Sequence, residues 1–148
     1  MKRMSGTLVL SLAGLALAPN ASAAPRLPEQ VTLTAALDGK QEVPFAGDPD
    51  GSGTFSATLV RKTRELCYEL AVQDIEPATL VQIQVGKSGD HDIGIVKLAT
   101  PGPDGRASGC ITLPADITKD LIMLPQYHYV NVYNAGFPAG AVRGQLSK

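Results

Sequence analysis

Two cysteines, two histidines and two aspartate-bearing loops are the residues of this chain whose types could carry chemistry. Cys67 and Cys110 allow one pairing, and a bridge would close a loop of about 44 residues, which chain entropy puts at roughly 4 kcal/mol of stability. The alternative is two buried free thiols, because sequence does not show whether their Cα atoms come within bridging distance. A catalytic thiol needs a lowered pKa, and Cys67 sits in a strand-like run with no histidine near it in sequence. His91 lies in the loop Ser88-Gly89-Asp90-His91-Asp92, where a histidine beside aspartates is read as solvated before it is read as a metal ligand. His128 precedes Tyr129 with no second imidazole beside it. Asp48-Pro49-Asp50-Gly51-Ser52-Gly53 resembles the oxygen-rich start of a calcium loop, but the twelfth position is Leu59 where a bidentate Glu belongs, so a plain turn is the better reading. The chain has no serine-hydrolase elbow, zinc-protease helix motif, phosphate loop or dinucleotide fingerprint.

Whatever these residues do, strands must position them. Alternating apolar and polar residues predict half-buried strands over 31–37, 55–60, 66–72 and 80–85, with further strands over 93–98, 107–113, 127–134 and 141–146. Val81, Ile83 and Val85 face one way in the fourth run, which leaves Gln82 and Gln84 together on the other face. Turn residues separate the runs: Asp38-Gly39, the Asp48 loop, Arg61 to Glu65, Pro101-Gly102-Pro103-Asp104-Gly105 and Gly136-Phe137-Pro138-Ala139-Gly140. One short helix is predicted where Ile117, Leu121 and Leu124 recur at helical spacing, with Asp116 at its start and Pro125 as its stop. Glycine and proline together make about 18% of the chain, against roughly 12% on average, which fits many short strands. About eight strands without alternating helices predict an all-β fold, a two-sheet sandwich or a closed Greek-key barrel.

Composition narrows the function. With 13 basic against 14 acidic residues, the chain has neither the basic field of a nucleic-acid binder nor the core-poor composition of a disordered solubiliser. Lys2 and Arg3, an apolar run over 8–18 and the pattern Ala21-Ser22-Ala23 predict a signal peptide over 1–23 and a domain over 24–148. The apolar run is about half the length needed to cross a bilayer, so no membrane anchor is expected after cleavage, the alternative being an uncleaved N-terminal anchor. The protein is therefore expected to be periplasmic or secreted, where disulfides persist.

The run Tyr129-Val130-Asn131-Val132-Tyr133-Asn134, followed by Pro138-Ala139-Gly140 and Val142-Arg143-Gly144-Gln145-Leu146, resembles the closing signature of the CHRD domain, named after chordin. Leu37-Asp38-Gly39-Lys40-Gln41-Glu42-Val43-Pro44 is similar to that family's opening motif, and Gly51-Ser52-Gly53-Thr54-Phe55 to its next turn into a strand. The resemblance implies an immunoglobulin-like β-barrel or sandwich, comparable in architecture to Cu,Zn superoxide dismutase. It implies no activity, since fold alone does not carry function and the family's bacterial members are mostly unassigned. Family members often have histidines at three positions that match Gln82, Gln84 and Tyr133 here. Amides and a protonated phenol are poor ligands for copper or zinc, so no metal or other cofactor is expected.

If those three positions share a face, as the family pattern implies, then Gln82, Gln84, Tyr129, Asn131 and Tyr133 form a candidate ligand-binding surface of amides and phenols, suited to a small polar ligand or a protein partner. An ordinary solvated sheet face is the alternative. Between the two motifs, Glu42 and Arg143 are expected to pair and close the domain, because Arg143 lies opposite Val142 and Leu146 with room for its planar fork. The function expected is a non-catalytic binding or structural module. The alternative is a small-molecule cyclase or isomerase using the Gln, Tyr and Asn face, which would require a concave cavity holding Tyr133 and Gln84.

Overall fold

The computed structural model describes residues 26–148, so the signal peptide expected over 1–23 lies outside the described residues. Eight strands follow one another as β1 (Gln30–Asp38), β2 (Ser52–Val60), β3 (Glu65–Gln73), β4 (Ala78–Val85), β5 (Gly94–Leu98), β6 (Arg106–Thr112), β7 (His128–Asn134) and β8 (Val142–Gln145). One helix, α1 (Ala115–Met123), separates β6 from β7. Every strand pair is antiparallel, and the spatial order is β5-β4-β7-β8-β1-β2-β3-β6. The non-consecutive neighbours β4–β7, β8–β1 and β3–β6 mark the Greek-key crossovers, and the sheet curls into a nearly closed barrel with β5 and β6 at its edges. The all-β, eight-stranded fold with one short helix is the one read from the sequence.

Alternation decides which side of each strand meets the core. Val31, Leu33, Ala35 and Leu37 are buried while Thr32, Thr34 and Ala36 are exposed, and a slip of one residue would exchange the two sets. These residues join Leu59, Leu66, Leu70, Val81, Ile83, Val130, Val132 and Val142 in one cluster, with Phe55 and Tyr68 stacked inside it at 6.1 Å. The α1 helix adds Leu121 and Ile122 to the same core. Leu124, expected on its buried stripe, is 42% exposed because the helix ends at Met123 and Ile122 takes the inward place. Strand β7 begins one residue later than its alternation suggested. Residues Pro125–Tyr127 form a 3-10 turn, closed by the Tyr127 N–H donating to the Leu124 carbonyl at 3.0 Å.

Cys67 and Cys110 are register partners on β3 and β6, and they are joined in a disulfide with Cα atoms 4.0 Å apart. The bridge lies on the outward face and fastens an edge strand to its only sheet neighbour. Among the described residues no helix is long and apolar enough to cross a membrane.

Candidate functional site

The strand parity that buries Val130, Val132 and Val142 turns another set of side chains outward. Gln82 and Gln84 come from β4, Tyr129, Asn131 and Tyr133 from β7, and Arg143 and Gln145 from β8. Register places Gln82 beside Asn131 beside Arg143, and Gln84 beside Tyr129 beside Gln145. An outer sheet face ordinarily meets water, but this one is sealed: Tyr129 is 0%, Asn131 2%, Arg143 2% and Gln84 4% exposed. Two loops close over it. One, residues 86–93, follows β4. The other leaves β1 through the 3-10 turn Gly39–Gln41, capped by Asp38 accepting the Gln41 N–H at 3.0 Å, and delivers a buried Glu42.

Beneath these loops the polar groups bind one another. The Asn131 Nδ2 donates to Gln84 Oε1 at 3.4 Å and, at 3.5 Å, faces Glu42 Oε2. The Gln84 Nε2 donates to the Tyr133 hydroxyl at 2.6 Å and to Gln82 Oε1 at 3.3 Å. Gln82 and Tyr133, at the outer end of this chain, are half-buried. Gln82 lies over Gly94, where a Cβ would strike its amide. Gly140 has φ +134°, open to glycine but not to most L residues, and a Cβ there would fall on the Glu42 carboxyl. The P-x-G glycine of the sequence thus makes room for the glutamate of the distant opening motif.

The ion pair expected between Glu42 and Arg143 is not formed. Among the described residues the one side-chain ion pair is Arg61–Glu29, at the surface. The Arg143 fork instead donates to the Asp90 carbonyl at 2.5 Å and to the Lys87 carbonyl at 2.8 Å, with its Cζ 3.4 Å from the Tyr129 ring centroid. Two loop carbonyls and an aromatic face satisfy a planar cation in this direction, while Glu42 is met by the Asn131 amide. Burial dominates the carboxyl and raises its pKa from 4.5 to about 7, against the attraction of Arg143 and the Asn131 hydrogen bond, which lower it. Burial likewise pushes the Tyr129 and Tyr133 phenols upward, so both remain protonated near neutrality.

Gln145 was not singled out by sequence. Its Nε2 donates to the carbonyls of Gly86, Gln126 and His128 at 2.8, 2.9 and 2.9 Å and so ties both ends of the layer to β8. The available signal was parity: Gln145 shares the outward face of Arg143, with Gly144 between them facing inward. What sequence did not disclose is that residues 86–93 fold back over that face.

The remaining candidates lie apart from the layer. His91 is exposed in the 86–93 loop, whereas His128 is buried, donates from Nδ1 to the Leu124 carbonyl at 3.0 Å, and has its pKa lowered by burial. The Asp48 carboxylate is turned onto its own backbone, accepting the N–H groups of Asp50 and Gly51 at 3.1 and 3.2 Å. At the three positions where the sequence resemblance places imidazoles, two amides and a protonated phenol do meet, and this donor set does not fit copper or zinc. One surface hollow of about 440 Å³ lies on β2, β3 and β6 around Ser56, Glu69 and Arg106, and another of about 450 Å³ between segments 72–78 and 101–105. Neither is lined by Gln84 or Tyr133.

The family model for the CHRD domain matches residues 33–146, which include both covering loops and every residue of the polar layer. No curated protein and no solved structure matches the chain.

Proposed function

The chain belongs to the CHRD family, and on that premise we propose that it is an exported, non-catalytic binding module that presents a small polar rim on the outside of its barrel. The supporting observation is the convergence of Gln82, Gln84 and Tyr133 in one hydrogen-bonded set, half-exposed at its outer end, above a sealed floor of Tyr129 and Asn131. Gln82 and Tyr133 supply an amide and a phenol to a hydroxyl- or amide-bearing ligand, and Gln84 holds both in place. The rim sits on rigid strands, so little ordering entropy opposes binding. Export follows from the leader pattern over 1–23 and agrees with the disulfide, which persists in oxidising compartments.

Native mass spectrometry of the protein purified from its own host tests this reading. The expected species is an oxidised chain beginning near Ala24 that retains a polar organic ligand, and the double variant Gln82→Ala, Tyr133→Phe should lose that ligand. A wild type that carries none, a variant that keeps it, or copper or zinc near one equivalent would overturn the reading.

A further inference from the structure

Three oxygens in the sealed layer have no hydrogen-bond partner, Gln145 Oε1 on β8 and, together around the Glu42 loop, Glu42 Oε1 and Asn131 Oδ1. The last two are acceptors on side chains at least 96% buried, and their two groups face each other through the 3.5 Å contact of Asn131 Nδ2 with Glu42 Oε2. A carboxylate and an amide oxygen cannot satisfy one another. A carboxylic acid can, because its O–H becomes the donor that the amide oxygen lacks. A proton on Glu42 supplies the donor that this pair of acceptors lacks, and Arg143 bonds loop carbonyls rather than the carboxyl group.

Loss of that proton would leave a buried anion near a buried cation. A charge-assisted bond from a guanidinium to a carboxylate is roughly twice as strong as one between neutral groups, so the fork gains by moving onto Glu42. The Nη1 and Nη2 bonds to the carbonyls of Asp90 and Lys87 compete with that move. Residues 87–93 are all exposed; their other ties to the rest of the fold are Val85 N–H to Ile93 O at 3.4 Å, Asp92 N–H to the Tyr129 hydroxyl at 3.3 Å and the Lys87 ammonium 4.8 Å over the Tyr127 ring, while Asp90 N–H to Lys87 O and Lys87 N–H to the Asp90 carboxylate lie within the loop.

We propose that Glu42 is a buried proton-binding site that switches Arg143 between two partners: with the proton on, Arg143 fastens the 86–93 loop to the sheet, and with it off, Arg143 pairs with Glu42 and the loop comes free. The charged and titratable groups around the switch are Arg143 on β8, Tyr129 and Tyr133 on β7, Asp38 on β1, Asp48 on the Glu42 loop, and Lys87, Asp90, His91 and Asp92 on the loop that moves.

The test is an NMR titration of the whole mature chain from pH 5 to 9, following the Glu42 side-chain carbon, the Arg143 side-chain nitrogens and the amides of residues 86–93. The expected result is one shared midpoint near neutrality, with the loop amides losing protection above it. In Glu42→Gln the Arg143 and loop signals should hold their low-pH positions throughout. A Glu42 midpoint in the ordinary carboxylate range, an Arg143 that does not move when Glu42 titrates, or loop changes that persist in Glu42→Gln would each overturn the switch. As a second readout, Glu42→Gln and Arg143→Met should change the unfolding constant independently at pH 5 and show coupling of tenfold or more at pH 8. Equal coupling at both values would also overturn it.

Discussion

Glu42 illustrates how one side chain can set a pH dependence for the whole fold. Its native pKa of about 7 stands above the unfolded value of 4.5, so the folded chain holds the proton more tightly. The stability that this contributes is fully present below pH 4.5 and is lost as pH rises through about 7. The loss is roughly 3 kcal/mol across the window. His128 acts in the opposite sense: burial lowers its pKa from 6.5, so its contribution is present above that value and is lost as pH falls. Urea unfolding of wild type and Glu42→Gln isolates the first effect by difference. Wild-type stability should fall relative to the variant between pH 5 and 8, and parallel profiles would contradict the assignment.

Among the elements, β6 is an edge strand whose ladder neighbour is β3 and whose outward face carries Cys110 bridged to Cys67. Cys110→Ser should lower stability by a few kcal/mol on the loop-entropy scale. Local hydrogen exchange should show residues 106–112 losing protection before β1 and β2, whereas uniform loss would mean that the bridge stabilises the barrel without holding its edge. The strands were legible because period-2 alternation and turn residues are local signals, as in Val31 to Leu37 and in Asp38-Gly39. The same parity made the shared outward face of Gln82 and Gln84 legible. The partner of Arg143 was not. Choosing between Glu42 and the carbonyls of Lys87 and Asp90 depends on where two loops come to rest, and carbonyls are present at every position of any sequence. The start of β7 was misplaced for a similar reason, since Tyr127 has the right parity but its N–H closes a turn on Leu124.

At the scale of the molecule, the barrel has two cores. The inner one is apolar and closed by α1; the outer one is a thin polar layer on β4, β7 and β8, held under two loops by Arg143, Gln145 and Asn131. Buried polar layers of this kind are stable only when their donors are satisfied, and they then fix the position of whatever covers them. Arg143 fastens the 86–93 loop over this layer, and Gln82 and Tyr133 stay half-buried at its edge. Hydrogen exchange at pH 6, below the Glu42 midpoint, tests it most directly by comparing wild type with Arg143→Ala. The expected result is measurable protection of amides 86–93 in wild type, lost in the variant while β1, β2 and β3 keep theirs. Free-peptide exchange of residues 86–93 in wild type, or an equal loss of protection throughout the barrel in Arg143→Ala, would contradict it.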